Sequence, residues 1–532
     1  MSGNLTGTGA LIRLALRRDR IVLPLWVLVL GLIPAATAGA YETLYPTLAD
    51  RQSLATGMAA NPSMNLLYGP AFDVTTAGGF TAWRYATMLA VFVGLAAIFT
   101  VTRHTRAEED TGRLELLASA VVGRYAALTA AIAVAAGGSL GAGLLSAVGM
   151  IGAGMPTAGS VAFGLGTALA GWVFTGVAAV AVQLAEYSRT ANGIGSATLG
   201  ALFLVRGIGD SSSDVSWLSW GSPIAWASQV RPFAGERWWV LALSLVTAVV
   251  LAGAGYVLLS RRDLGMGIIP AKPGPAAAAP SLRTPLALAW RLHRGSLIGW
   301  TVGFAVMGSL FGTLASGIGD VIGDSEQARQ IFERMGGAQS LVDAFVSATA
   351  GILAMIASLY GVQAALRMRS EEVSFRVEPL LSTQVSRLRW MAGHLGFALL
   401  GTTLLVAVAG AGMGLLHGVR VGDVAGQLPD VLLASLAQLP AVWVVVGVTV
   451  AIFGLVPAFS GAAWAVTAGF MLLTLFGPVV QLSQWVLDIS PFTHIPRLPM
   501  AEFSATPLVV LCGIALVAVA AGLAGFRRRD VG

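Results

Sequence analysis

Residues 106–124 read RAEEDTGRLELLASAVVGR, and residues 369–387 read RSEEVSFRVEPLLSTQVSR. The two stretches align without gaps at an offset of 263 residues. Nine of nineteen positions are identical: Arg106/Arg369, Glu108/Glu371, Glu109/Glu372, Arg113/Arg376, Glu115/Glu378, Leu117/Leu380, Ser119/Ser382, Val122/Val385 and Arg124/Arg387. Most of these are polar, so a shared apolar background does not account for the match. Further agreements flank it. Arg17, Arg20 and Trp26 correspond to Arg291, Arg294 and Trp300, Trp217 and Ser222-Pro223 to Trp485 and Ser490-Pro491, and RRDLG (261–265) to RRDVG (528–532). The chain reads as an internal duplication, with halves at 1–265 and 284–532 and a Pro/Ala-rich linker at 266–283.

Around these polar islands the chain is apolar. Hydrophobic residues make up 56% of its 532 residues and charged residues 11%, against about 25% charged in ordinary soluble domains. A chain this apolar cannot cover its surface with polar groups in water, so the class is membrane protein. A helix needs about 20 apolar residues to cross the hydrocarbon. Twelve stretches qualify: 21–41, 84–102, 125–150, 159–185, 193–210 and 239–259 in the first half, then 296–317, 345–366, 393–416, 431–457, 462–482 and 507–526 in the second. The 66 glycines fit the same class, since small residues let spans approach closely, as expected at Gly137-x-x-x-Gly141. The predicted fold is an all-α polytopic membrane protein, twelve transmembrane helices arranged as two six-helix halves.

Placing both termini in the cytoplasm puts 23 of 32 basic residues on that side, among them Arg103, Arg106, Arg113, Arg367, Arg369 and Arg376. The positive-inside rule therefore favours that orientation, in a bacterial inner membrane. Both copies of each motif then face the same side, so the repeat is parallel, related by an axis along the membrane normal. A cleaved signal peptide ending near Ala36-Thr37-Ala38 is the rival reading of the start. The counterpart of the first span at 296–317 lies deep in the chain, which argues against it.

The repeated Arg/Glu loop falls between the second and third spans of each half. If helical from about 113, Leu114, Leu117, Ala118 and Val122 share one face, as do Val377, Leu380, Leu381 and Val385. A solvated charged loop would need no repetition, so two matching docking surfaces are the expectation. Segments 9–20 and 284–294 mix Leu with Arg and read as interfacial helices facing lipid phosphates. Segments 211–238 and 483–506 carry Trp217, Trp220, Trp226, Trp238, Trp239 and Trp485, and read as outer aromatic loops or short helical hairpins. Arg206 falls inside a span, where an ionisable residue is a functional candidate, although Asp210 one turn on can pair with it. Arg206, Trp217, Trp226 and Trp485 are the candidate substrate-path residues.

The five histidines are far apart in sequence, with no metal-ligand spacing, and the lone Cys512 forms no intrachain disulfide. No carboxylate pair or nucleophile–base set points to an enzyme. An ion-coupled secondary transporter also comes as six-plus-six spans, but no span carries a clear central acid. A phosphate-binding loop needs Gly-x-x-x-x-Gly-Lys-Ser/Thr. The single lysine, Lys272, lies in Ala-Lys-Pro and cannot supply it.

The interfacial helix, the charged loop between spans two and three and the outer segment before span six resemble the membrane subunit of an ABC-2 type exporter. The duplicated form, with its Arg-x-Glu-Glu…Arg-x-Glu loop, resembles the actinobacterial exporters of polyketide antibiotics, the tetronasin-type multidrug efflux permeases, over essentially the whole chain. That resemblance implies export of hydrophobic or amphipathic compounds, or of lipid. It implies two copies of a separate cytoplasmic ABC ATPase that carries ATP and Mg, membrane lipid and a small hydrophobic substrate as partners, and no nucleic acid. It places ATPase coupling on Glu108, Glu109, Arg113 and Glu115, and on Glu371, Glu372, Arg376 and Glu378. Phe375 replaces Gly112 and Pro379 replaces Leu116 in the second copy, so the two surfaces are expected to couple unequally.

Overall fold

A computed structural model of the chain describes residues 2–59, 62–113, 122–211, 213–263, 265–270, 274–320, 337–477, 482–501 and 503–530. The described residues contain no strand. They form two compact units, Met1–Gly274 and Pro275–Gly532.

The first unit runs α1 (Thr8–Arg18), α2 (Val22–Leu44), α3 (Leu48–Ala59), α4 (Pro62–Tyr68), α5 (Ala77–His104), α6 (Arg106–Asp110), α7 (Ala126–Gly152), α8 (Thr157–Leu184), α9 (Ser188–Ser211), α10 (Pro223–Gln229) and α11 (Trp239–Ser260). The second runs α12 (Pro285–Asp320), α13 (Gly337–Ala365), α14 (Arg367–Val373), α15 (Glu378–Leu381), α16 (Arg387–Val421), α17 (Val424–Leu436), α18 (Leu439–Leu455), α19 (Ala462–Phe476), α20 (Gln484–Leu487) and α21 (Ala505–Arg528).

Among the described residues ten helices are long and apolar enough to cross a membrane, five in each unit. The expected first span is α2, which bends 74° away from α1. The expected span at 462–482 appears as the 15-residue α19, about 22 Å long and shorter than a hydrocarbon core of about 30 Å. Large apolar side chains on α2 (Leu25, Leu28, Val29), α11 (Val246, Val249, Val250) and α21 (Val509, Leu516, Val517) are exposed. In water such faces would be untenable; in lipid they are ordinary.

A separate helix ahead of the first long helix is present in one unit only. In the first, the chain breaks at Asp19, whose carboxylate is drawn to His104 Nε2 at 2.6 Å and Arg103 at 3.0 Å. In the second, His293 occupies the corresponding place and α12 runs unbroken through 284–294 into its span. The expected outer hairpins are also modest. Segment 211–238 holds a 3-10 stretch (Ser213–Gly221) and the seven-residue α10, and segment 483–506 holds α20 and a 3-10 turn (Pro491–His494).

Small residues set the packing, though not at the expected pair. Gly137 meets nothing within 4 Å of where a Cβ would stand. The close approach is between α7 and α8, where Gly143 and Gly164 each face the other's carbonyl oxygen at a distance that leaves no room for a methyl group. In the second unit Gly454 on α18 faces the Gly522 carbonyl of α21, and Gly522 in turn faces the Val450 carbonyl of α18, each too closely for a methyl group.

Candidate functional site

The Arg/Glu motif lies where the second long helix of each unit ends. Glu109, with 6% of its side chain exposed, accepts from Arg106 Nη1 at 2.6 Å, from Arg262 Nη2 and Nη1 at 2.6 and 2.9 Å, and from the Gly265 N–H at 3.2 Å. Arg106 is fully buried; its Nε and Nη2 donate to the Val182 carbonyl of α8 at 3.1 and 2.7 Å. Arg262 also donates from Nε to Gln183 Oε1 at 2.6 Å. The carboxylate therefore ties the ends of α5, α8 and α11 together. Glu108, beside it, pairs with Arg18 of α1 at 2.7 Å.

The second unit repeats this arrangement with fewer bonds. Glu372, 4% exposed in its side chain, pairs with Arg369 at 3.0 Å and receives Arg529 Nη1 and Nη2 at 2.9 and 3.1 Å. Arg529 stands in the second RRD run as Arg262 does in the first. Glu371 pairs with Arg367 at 2.9 Å and, more loosely, with Arg376 at 3.7 Å.

Two more duplicated motifs acquire the same job in both units. Arg124 Nη2 donates to the carbonyls of Leu259, Ser260 and Arg262, at or just past the end of α11, and Arg387 Nη1 donates to those of Phe526, Arg527 and Arg529 around the end of α21. Helix ends leave such carbonyls without intrahelical partners, and cations there also oppose the helix dipole. Ser222 Oγ donates to Leu202 O at 2.8 Å and Ser490 Oγ to Phe470 O at 3.2 Å, so each Ser-Pro turn is fastened to the preceding helix.

The eight expected coupling residues therefore divide. Glu108, Glu109, Glu371 and Glu372 are turned inward and ion-paired within the chain. Arg113, Arg376 and Glu378 are exposed, together with Val373 and Phe375. Glu115 lies outside the described residues, as do Leu114, Leu117 and Ala118. In the second copy the expected apolar face is present: Val377 is buried, and Leu380, Leu381 and Val385 pack on the same core. The helix carrying it is one turn, Glu378–Leu381.

At the other end of α5 sits Arg206, fully buried on α9. It pairs with Asp210 at 3.4 Å, donates to Thr87 Oγ1 at 3.2 Å and to the carbonyls of Leu66 and Leu67, and lies 4.9 Å from the Phe203 ring centroid. These bonds clasp the end of α4 and occupy both terminal nitrogens of Arg206, while its buried Nε has no hydrogen-bond partner. Trp226 is buried and donates from Nε1 to Trp220 O at 2.9 Å, whereas Trp217 and Trp485 are exposed. An apolar cleft of about 530 Å³ opens between α2 and α5, lined by Val22, Leu25, Trp26, Val29, Phe92 and Phe99, with Asp19 and Arg103 at one end.

Sequence spacing missed four contacts. Arg262 and Arg529 were visible as repeats but not as partners of the glutamates. Asp19 and His104 lie 85 residues apart. His293 and His394, 101 residues apart, meet at 2.9 Å, Nε2 to Nδ1. Among the described residues no three His, Cys, Asp or Glu side chains converge as a metal site would require.

The family described as "Multidrug efflux system permease Rv1217c, C-terminal domain" matches residues 10–259 and 282–527. The multidrug efflux system permease protein Rv1217c of Mycobacterium tuberculosis (strain ATCC 25618 / H37Rv) is 45% identical over 528 residues, covering 99% of this chain and 95% of that protein. A multi-pass helical chain that carries the duplicated Arg/Glu motif and matches that permease nearly end to end belongs to the Rv1217c multidrug efflux permease family.

Proposed function

We propose that this chain is the membrane subunit of an ATP-driven ABC exporter that moves hydrophobic or amphipathic, drug-like compounds out of the cell. Two copies of a separate cytoplasmic ATPase would bind ATP and Mg, one at each Arg/Glu loop, with both chain termini in the cytoplasm. The observation that carries the reading is the pair of loops clamped by Glu109–Arg262 and Glu372–Arg529. A docking element must pass force to the spans without bending. Here each loop is fastened by a multiply bonded carboxylate to the end of its unit's last long helix, and the first loop is also fastened to α8. The docking face is then the exposed set: Arg113 in the first loop and Arg376, Glu378, Val373 and Phe375 in the second. The inward glutamates stiffen that face and make no contact with the partner. The relative's description as a multidrug efflux permease and the absence of a phosphate-binding loop in the sequence support the same reading. The apolar cleft between α2 and α5 is the proposed lateral entrance for cargo.

Gentle solubilisation and affinity purification of the tagged chain from its native host should bring down an ATPase with a phosphate-binding loop; repeated recovery of the chain alone would sink the proposal. Arg113→Glu and Arg376→Glu together should lower efflux at least fivefold while thermal stability stays unchanged. Unaltered efflux would remove these residues from the docking face. One observation favours ion coupling instead: the buried Asp19–His104 pair at 2.6 Å, close to the cleft. Efflux abolished by a protonophore while cellular ATP is held constant would decide for that second reading.

A further inference from the structure

A second cavity lies at the end of the first unit opposite the Arg/Glu loop. It has a volume of about 300 Å³ and is lined by Pro70, Phe72, Asp210, Trp220, Arg231 and Arg237, with Gln229 beside them. Its charge is unbalanced. Asp210 is already answered by Arg206 at 3.4 Å and by the Ser219 hydroxyl at 2.6 Å. Neither Arg231 nor Arg237 has an ion pair among the described residues. The other acid of the turn, Glu236, accepts from the Phe233 backbone N–H at 3.2 Å. Arg231 Nε is buried and has no hydrogen-bond partner. Burial, and after it the neighbouring Arg237, pull the Arg231 guanidinium below the ordinary arginine range.

This cationic pair is held in place at a conformational cost. Arg231 has φ 53° and Phe233 φ 65°, left-handed positions that bulky residues avoid. The Phe233 ring locks the turn by wedging against Gly78 and Gly159, each so close that a Cβ would collide with it. Arg231 lies over the Phe72 ring at 4.3 Å, and Trp220 stacks on Trp239 at 5.3 Å and 15°. The cavity thus joins two fork-shaped donors to a flat aromatic wall. Guanidinium forks match carboxylate and phosphate oxygens, and the volume falls at the small end of ligand sites.

We infer that this cavity binds the anionic end of an amphiphile, a carboxylate or phosphate monoester on an apolar body, with Arg231 and Arg237 gripping the anion and Phe72, Pro70 and Trp220 receiving the first carbons. The inference concerns binding alone and stands whether or not an ATPase drives the chain.

Calorimetric titration of the full chain in phosphatidylcholine nanodiscs tests it with hexyl phosphate, hexanoate, hexanol and inorganic phosphate as probes. Hexyl phosphate or hexanoate should bind, with hexanol and inorganic phosphate at least tenfold weaker. Arg237→Gln should weaken hexyl phosphate at least fivefold, and Arg231→Gln with Arg237→Gln at least tenfold. Arg237 makes no side-chain bond that the fold needs, so Arg237→Gln alone decides if the double variant is not monodisperse. Equal affinity of Arg237→Gln and the parent chain, or equal binding of hexanol, overturns the site. Repeating the titration with one-fifth phosphatidylglycerol separates the sources. Lost affinity identifies a lipid headgroup as the resident anion and retained affinity a non-lipid amphiphile, and both outcomes uphold an anion site.

Discussion

Replacing Glu109 by Ala should destabilise the first unit far more than Glu372→Ala destabilises the second. Glu109 accepts four hydrogen bonds from two guanidiniums and one N–H, and its cationic partners Arg106 and Arg262 are 0% and 4% exposed in their side chains. Removing the carboxylate leaves two buried cations without a counter-charge. Breaking a buried pair in this way costs about 3–5 kcal/mol. Glu372 accepts two hydrogen bonds and one further ion-pair contact, and its partners Arg369 and Arg529 are 32% and 17% exposed. Water can solvate those cations once the acid is gone, so the loss there is about 1.5–3 kcal/mol, the range for hydrogen bonds to charged groups. For a unit of this size the two changes correspond to roughly 6–20 °C and 3–12 °C of melting temperature. Tryptophan-fluorescence melting in one detergent, with both variants beside the parent, measures the difference. Equal shifts, or a larger shift for Glu372→Ala, would refute the view that burial of the cations sets the cost. Glu109→Gln keeps the shape and part of the bonding, so its shift should fall between parent and Ala.

Arg206→Met strands the Asp210 carboxylate in the interior and frees the α4 clasp; the expected loss is about 3–5 kcal/mol, and Arg206→Lys should recover little because a point ammonium cannot span Asp210, Thr87 and two carbonyls. Melting of the two variants checks both statements. Gly164→Ala drives a methyl into the Gly143 carbonyl, forcing α7 and α8 apart at about 1–3 kcal/mol; a melting point equal to the parent's would show that the two helices do not approach as closely as described. Ser222→Ala removes one side-chain bond and Ser490→Ala two, since Ser490 Oγ also meets Thr474 Oγ1 at 2.8 Å; at about 0.5–1.5 kcal/mol per bond, the double variant should show the sum, since the two sites lie in separate units.

Much of this protein follows from chain order alone. Apolar runs are long enough to span lipid, and the membrane supplies the physical reason that a helix must satisfy its own backbone there. The repeat could be read because charged residues are rare in such a chain, so seven polar or charged identities among nine stand out from the background. What spacing could not show is where those charges point. Glu108-Glu109 and Glu371-Glu372 look like an outward acidic surface until the chain brings Arg262 back across 153 residues and Arg529 across 157. An ion pair of that reach depends on where α11 and α21 end, and no local periodicity encodes it. The same holds for Asp19, which breaks the first helix because His104 stands opposite, while His293 in the matching place leaves α12 unbroken. Composition and repetition determined that the chain spans a membrane and carries a duplicated charged loop. Only the packing of distant helix ends decided which of those charges hold the loop and which remain exposed, because a buried carboxylate is positioned by partners that the sequence holds far away.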